Sequence, residues 1–175
     1  YYGRFRIVTD TARTNETDII PFTTVEYHAV ATGGTVAQVG DDNVHTFLSN
    51  GTFVVTSPGL ARVLIVAGGG GGGGNMGGGG GAGGVVATND FVMTNGIYQV
   101  AVGASGTGGS AHGVNGGNSS AFDFTAIGGG GAGSYGGGGL NGVSGGSGGG
   151  AGSGLYDDNL RASGVDGQGH DGGVD

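Results

Sequence analysis

Glycine tracts constrain this chain more than any other feature. They run over 68–74, 77–84, 128–131, 136–139 and 145–154, with shorter pieces between. Of the 50 glycines in 175 residues, six precede Gly68 and forty-four lie from Gly68 onward, so the composition breaks after Ala67. Glycine costs about 1 kcal/mol per helical position relative to alanine, and no apolar residues recur at helical spacing. The fold class is therefore all-β without helices.

The tracts allow two readings. One is a flexible linker, because glycine loses the most entropy on ordering. The other is a set of packed threefold left-handed glycine helices of the polyglycine II type. Such helices rise about 3.1 Å per residue and form no internal hydrogen bonds. They can approach closely and pair N–H with C=O between neighbours. Three features favour packing. The tracts are nearly free of the Lys, Glu, Gln and Pro that solvate disordered segments. They alternate with β-rich sequence, and there are several of them. Collagen is excluded, because there is no strict Gly-X-Y period and no proline after Pro58.

The remaining sequence reads as strands. Residues 4–9 and 22–32 alternate and carry β-branched residues, with a polar loop over 10–21. On the second of these strands the Thr23, Val25, Tyr27, Ala29 and Ala31 face is the more apolar and is placed inward. Residues 43–49 and 52–56 flank Asn50-Gly51, a strong two-residue hairpin signal. Ser57-Pro58-Gly59 makes the next turn, and 60–67 reads as a strand buried on both faces. Residues 85–94 and 97–102 flank Asn95-Gly96 as a second hairpin, and 121–127 holds one further short strand. The expected organisation is an N-terminal extension with two strands over 1–34, a β-meander over 35–67, and a glycine-rich array with an interleaved hairpin over 68–175. The antiparallel hairpins are expected to form a sandwich combined with the packed glycine strands. The chain begins at Tyr1 without methionine and ends inside a Gly-rich pattern, and so reads as processed or as a segment of a longer polypeptide.

Charge and residue types narrow the function. The formal net charge is −8, with no lysine and no cysteine. Phosphate contacts need Lys and Arg, so nucleic-acid binding is set aside. No run of about 18 apolar residues exists to span a bilayer. Without cysteine there is no disulfide framework and no thiolate metal site. A P-loop needs a lysine, and the GxGxxG matches inside the tracts precede no helix. His28, His45, His112 and His170 show no metal-ligand spacing. Gly167–Asp171 partly matches a calcium-binding nonapeptide, but as one imperfect copy where stacked repeats are needed. Asp157-Asp158-Asn159 offers oxygen ligands and reads better as a solvated loop. No acid, base and nucleophile set converges. The chain reads as non-enzymatic, with no cofactor and no metal.

The stretch VHTFLSNGTFVVTSPGLARVLIVAGGGGGGGNMGGGGGAGG over 44–84 resembles the glycine-rich domain of bacteriophage tail fibres and related virion proteins. The later pieces GIYQVAVGASGTGG, NGGNSSAF and GQGHDGG extend that resemblance, which covers about residues 30–175. It implies a sandwich of glycine helices whose connecting loops contact a host surface. The expected function is then a virion structural protein of tail-fibre or adhesin type, acting in attachment or assembly, outside the cell. Its expected partners are copies of itself and a host surface polysaccharide or protein. A second reading is a self-assembling filament or coat subunit joined by exchange of the N-terminal strand. An ice-binding array is a third, with nothing specific in its favour.

Candidate surface residues follow from loop composition. Tyr135 and Tyr156 lie in Gly-rich loops, where tyrosine with small polar neighbours makes adaptable contacts. Packing against the array is the competing role. Asn15, Asn50 and Asn118 head glycosylation sequons. Asn15 and Asn118 are the candidates in a eukaryotic setting, while Asn50 is assigned to the turn.

Overall fold

The structure is a computed structural model that describes residues 29–135, 141–153 and 162–173. Among these residues it is all-β, with nine strands and no helix. The strands are β1 (Val30–Thr32), β2 (Thr35–Val39), β3 (Asp42–Thr46), β4 (Gly51–Ser57), β5 (Gly59–Val66), β6 (Val85–Met93), β7 (Gly96–Val100), β8 (Ser119–Ala121) and β9 (Phe124–Ala126). All pairings between named strands are antiparallel. One sheet has the order β1-β4-β7, and β2-β3, β5-β6 and β8-β9 form two-stranded sheets.

Neither Asn-Gly hairpin forms. β4 pairs with β1 and β7, not with β3, and β6 pairs with β5, not with β7. The meander expected over 35–67 is therefore replaced by crossovers between sheets. Neither Asn50-Gly51 nor Asn95-Gly96 takes the positive φ of a type I′ turn. Long-range pairing prevails here because it lets β4 sit centrally between β1 and β7. Asn50 instead uses Oδ1 to accept the Val102 N–H at 2.8 Å, closing the end of β7. Two other hairpins take the tight turns. β2 and β3 join through Gly40-Asp41, with Gly40 at φ 62°. The region read as one strand over 121–127 is the β8-β9 hairpin, turning at Phe122-Asp123.

Phe122 has φ 56°, the first central position of a type II′ turn, where glycine is usual. A bulky residue there is strained by about 1–3 kcal/mol. Packing offsets that cost. The Phe122 ring lies 4.9 Å from Tyr98, 5.1 Å from Phe91 and 6.0 Å from Phe53, centre to centre. Buried Phe53, Val55 and Met93 form one core group, and Ile65, Ala67, Ala121 and Ala126 form another. Val63, Val100 and Phe122 pack against both, so the core is continuous. Ala29 and Ala31 pack against the first group, as their placement on the inward face requires. β5 is covered on one face only: Ile65 is buried, whereas Leu64 is 69% exposed.

Among the described residues the glycine tracts are ordered, and their bonds repeat every third residue. The N–H groups of Gly68, Gly71 and Gly74 donate to the carbonyls of Gly117, Val114 and Ala111. Those of Ala67, Gly70 and Gly73 donate to Gly84, Gly81 and Gly78. A period of three is that of the polyglycine II helix, whereas a β-strand repeats every two. Tract 127–134 is the innermost. Gly129 and Ala132 donate to Gly68 and Gly71, and Gly130 and Gly133 donate to Ser147 and Gly150. The N–H groups of Gly128 and Gly131 go instead to side chains of the neighbouring 111–118 segment, where Asn118 and Asn115 accept through Oδ1, each at 2.8 Å.

Asn118→Ala would leave the buried Gly128 N–H unpaired, at a cost of about 1–3 kcal/mol. Asn118→Asp, which keeps an acceptor oxygen, should recover most of that loss. Thermal melts of the two variants against the parent chain check both.

Candidate functional site

The bonds that build the array also sort its ends. At one end Ala67 donates to Gly84, Gly84 to Ile127 and Val85 to Gln168, beside the β-core. Tracts 67–74, 127–134 and 145–153 lead away from there parallel to one another, and 77–84 and 111–117 run back antiparallel to them, so Asn75, Ala111, Tyr135 and Ser153 meet at the opposite end. Asn75 and Met76 form the turn between tracts 67–74 and 77–84, both at positive φ (47° and 54°). That is the type I′ geometry, which asparagine tolerates well.

This distal turn is tied to three other segments. The Tyr135 N–H donates to the Asn75 carbonyl at 3.1 Å, and Asn75 Nδ2 donates to the Tyr135 carbonyl at 2.7 Å. The Ser153 N–H donates to the Met76 carbonyl at 2.8 Å, and the Gly74 N–H donates to Ala111 at 3.0 Å. Tyr135 is 46% exposed and Met76 is 63% exposed. A tyrosine and a methionine thus stand at the tip on backbone fixed by hydrogen bonds. Rigid aromatic and adaptable thioether surface of this kind suits contact with a partner.

Of the residues selected from sequence, Tyr135 lies at this tip. Tyr156 and Asn15 lie outside the described residues. Asn118 is exposed and lies next to the start of β8, with its oxygen engaged by Gly128. The GQGHD segment works on the fold. Gln168 accepts the Ile127 N–H at 2.8 Å through Oε1 and donates from Nε2 to the Thr125 carbonyl at 3.0 Å. Asp171 Oδ1 accepts the Gly164 N–H, and Ser147 Oγ accepts that of His170. His45 bonds the Gly33 carbonyl through Nδ1 at 2.8 Å and stacks edge-on against Phe53. Among the described residues no group of three or more His, Asp or Glu side chains is placed to hold a metal ion. Met76 and Asn115 were not selected from the sequence, and Asn118 was assigned a different role from the acceptor role found here. The signal for the asparagines was present as Asn115 and Asn118, three residues apart and in phase with the array.

A family model described as a glycine-rich domain matches residues 47–175. Neither the curated proteins nor the solved structures contain a match. No helix among the described residues is long and apolar enough to cross a membrane.

Proposed function

The chain belongs to the glycine-rich domain family, and on that premise we propose that it is a non-catalytic virion protein of tail-fibre or adhesin type. It acts outside the cell, on the virion surface, and its array holds a contact tip against a host polysaccharide or protein. The observation that carries this reading is the gathering of Asn75-Met76, Ala111, Tyr135 and Ser153 at the end away from the β-core. Polyglycine II packing gives a stiff support, because each tract is bonded to several neighbours. Attachment gains from that stiffness, since little ordering entropy is lost on contact.

The test is binding of the fluorescently labelled chain to bacterial cells and to their isolated surface glycans and proteins. Saturable binding is expected. The double variant Met76→Ser, Tyr135→Ala should weaken it at least about tenfold, in the range of aromatic hot-spot losses, with an unchanged melting temperature. Binding that ignores the double variant, or its absence from every bacterial surface tried, would sink the reading.

A further inference from the structure

A second feature lies at the β-core, away from the tip. A groove of about 950 Å³ runs between β3 and β5. β3 is paired only with β2, and β5 only with β6, so each presents an unpaired edge among the described residues. Every residue from Leu60 to Val66 lines the groove, on both faces of β5. It therefore reaches the strand's open edge, and it continues inward to Phe53, Val100 and Ala121 of the core. Residues Asp41 to Leu48 line the opposite side. An ion pair between Arg62 and Asp42 links the two walls. Leu60 is 48% exposed and Val44 41% exposed. An apolar groove between two open strand edges has the shape of a missing strand.

We infer that this groove seats residues 4–9 of the same chain, Arg4-Phe5-Arg6-Ile7-Val8-Thr9, as an added β-strand. Three observations point to that occupant. The segment alternates with period two, which sets Phe5 and Ile7 on one face and Arg4 and Arg6 on the other. The groove is lined largely by apolar side chains, which suit the first face. For the second it carries the carboxylates of Asp41 and Asp42 against the single guanidinium of Arg62. Ala29 itself lines the groove, so the chain preceding it emerges there. The connection over 10–28 could span about 60 Å when extended at about 3.3 Å per residue, far more than return to the groove demands. A segment so tethered has an effective concentration near the millimolar range. It therefore outcompetes the same strand from neighbouring molecules at micromolar protein.

Amide hydrogen exchange on the full chain at micromolar concentration tests this, with light scattering on the same sample. The expected result is a monomer in which amides 5–9 exchange at least about a hundredfold more slowly than those of the 10–21 loop. Ile7→Asp should abolish that protection and produce binding of a hydrophobic dye, while protection of Gly129, Gly130 and Ala132 in the array persists. That persistence separates loss of the strand from loss of the fold. Exchange of 5–9 at the loop rate overturns the inference. Protection found only in oligomers and lost on dilution also overturns it, and assigns the groove to a neighbour's strand.

Discussion

Replacing Gly130 with alanine should destroy the array, whereas the same change at Gly79 should leave it intact. At Gly130 an added Cβ would fall well under 3.0 Å from the Val143 carbonyl oxygen, with the Gly149 nitrogen 2.9 Å away. Both are backbone atoms of other tracts, and both tracts are bonded to further neighbours. No side chain can rotate aside. Overpacking in a side-chain core costs about 1–3 kcal/mol; here the cost should reach or exceed the upper figure, because relief means separating bonded backbones. At Gly79 an added Cβ meets nothing within 4 Å. Its φ lies outside the left-handed region, so alanine is unstrained there. The change should be neutral or should stabilise by about 0.4–1 kcal/mol through the unfolded chain. Thermal melts and amide exchange of the two variants check the contrast. Equal effects would mean that the tracts do not pack as described.

Phe53→Ala is expected to be the most damaging change in the β-core. Phe53 is 6% exposed and touches three rings edge-on: His45 at 5.1 Å, Phe122 at 6.0 Å and Phe47 at 6.2 Å between centres. Truncating a buried phenylalanine costs about 3–5 kcal/mol, part of it from aromatic pairs worth about 0.5–1.5 kcal/mol each. In a chain of this size that corresponds to a fall of roughly 10 °C in melting temperature. Leu48→Ala, at a residue 89% exposed, should shift the melt by about 0.5 kcal/mol or less. Phe122 carries a further load, because its ring closes the same cluster from a strained turn. Phe53→Ala should therefore lower amide protection in the β8-β9 hairpin as well as in β4.

The two variants report on different physics. Gly130 probes backbone contact, where the stabilising groups are N–H and C=O and a side chain can only interfere. Phe53 probes ordinary apolar burial. The two regions meet where Ala67 ends one and begins the other, since Ala67 belongs to the buried core and also donates to Gly84.

Much of the architecture was legible. The absence of helix follows from glycine content and the lack of a helical period, and the strand positions at β4 to β7 follow from β-branched and aromatic runs. That the tracts pack also followed from composition, because a chain poor in Lys, Glu, Gln and Pro has little to keep it solvated. Pairing was not legible. Asn50-Gly51 and Asn95-Gly96 carry the local chemistry of hairpins, yet each joins strands that bond elsewhere. A turn preference is worth little beside a sheet's full set of cross-strand contacts, and those contacts are non-local. The Phe122 turn was hidden for a related reason: its strain is repaid only by rings from three other strands.

The glycine tracts show the same division. The sequence alone determined that they could pack, since only glycine lets backbones approach so closely, and that many directions of bonding were open to each one. The tertiary structure alone decided which tract is innermost, which N–H groups turn to Asn115 and Asn118, and which turns meet at Tyr135. A glycine has no side chain to mark its neighbour, so one tract reads much like another until its partners are in place.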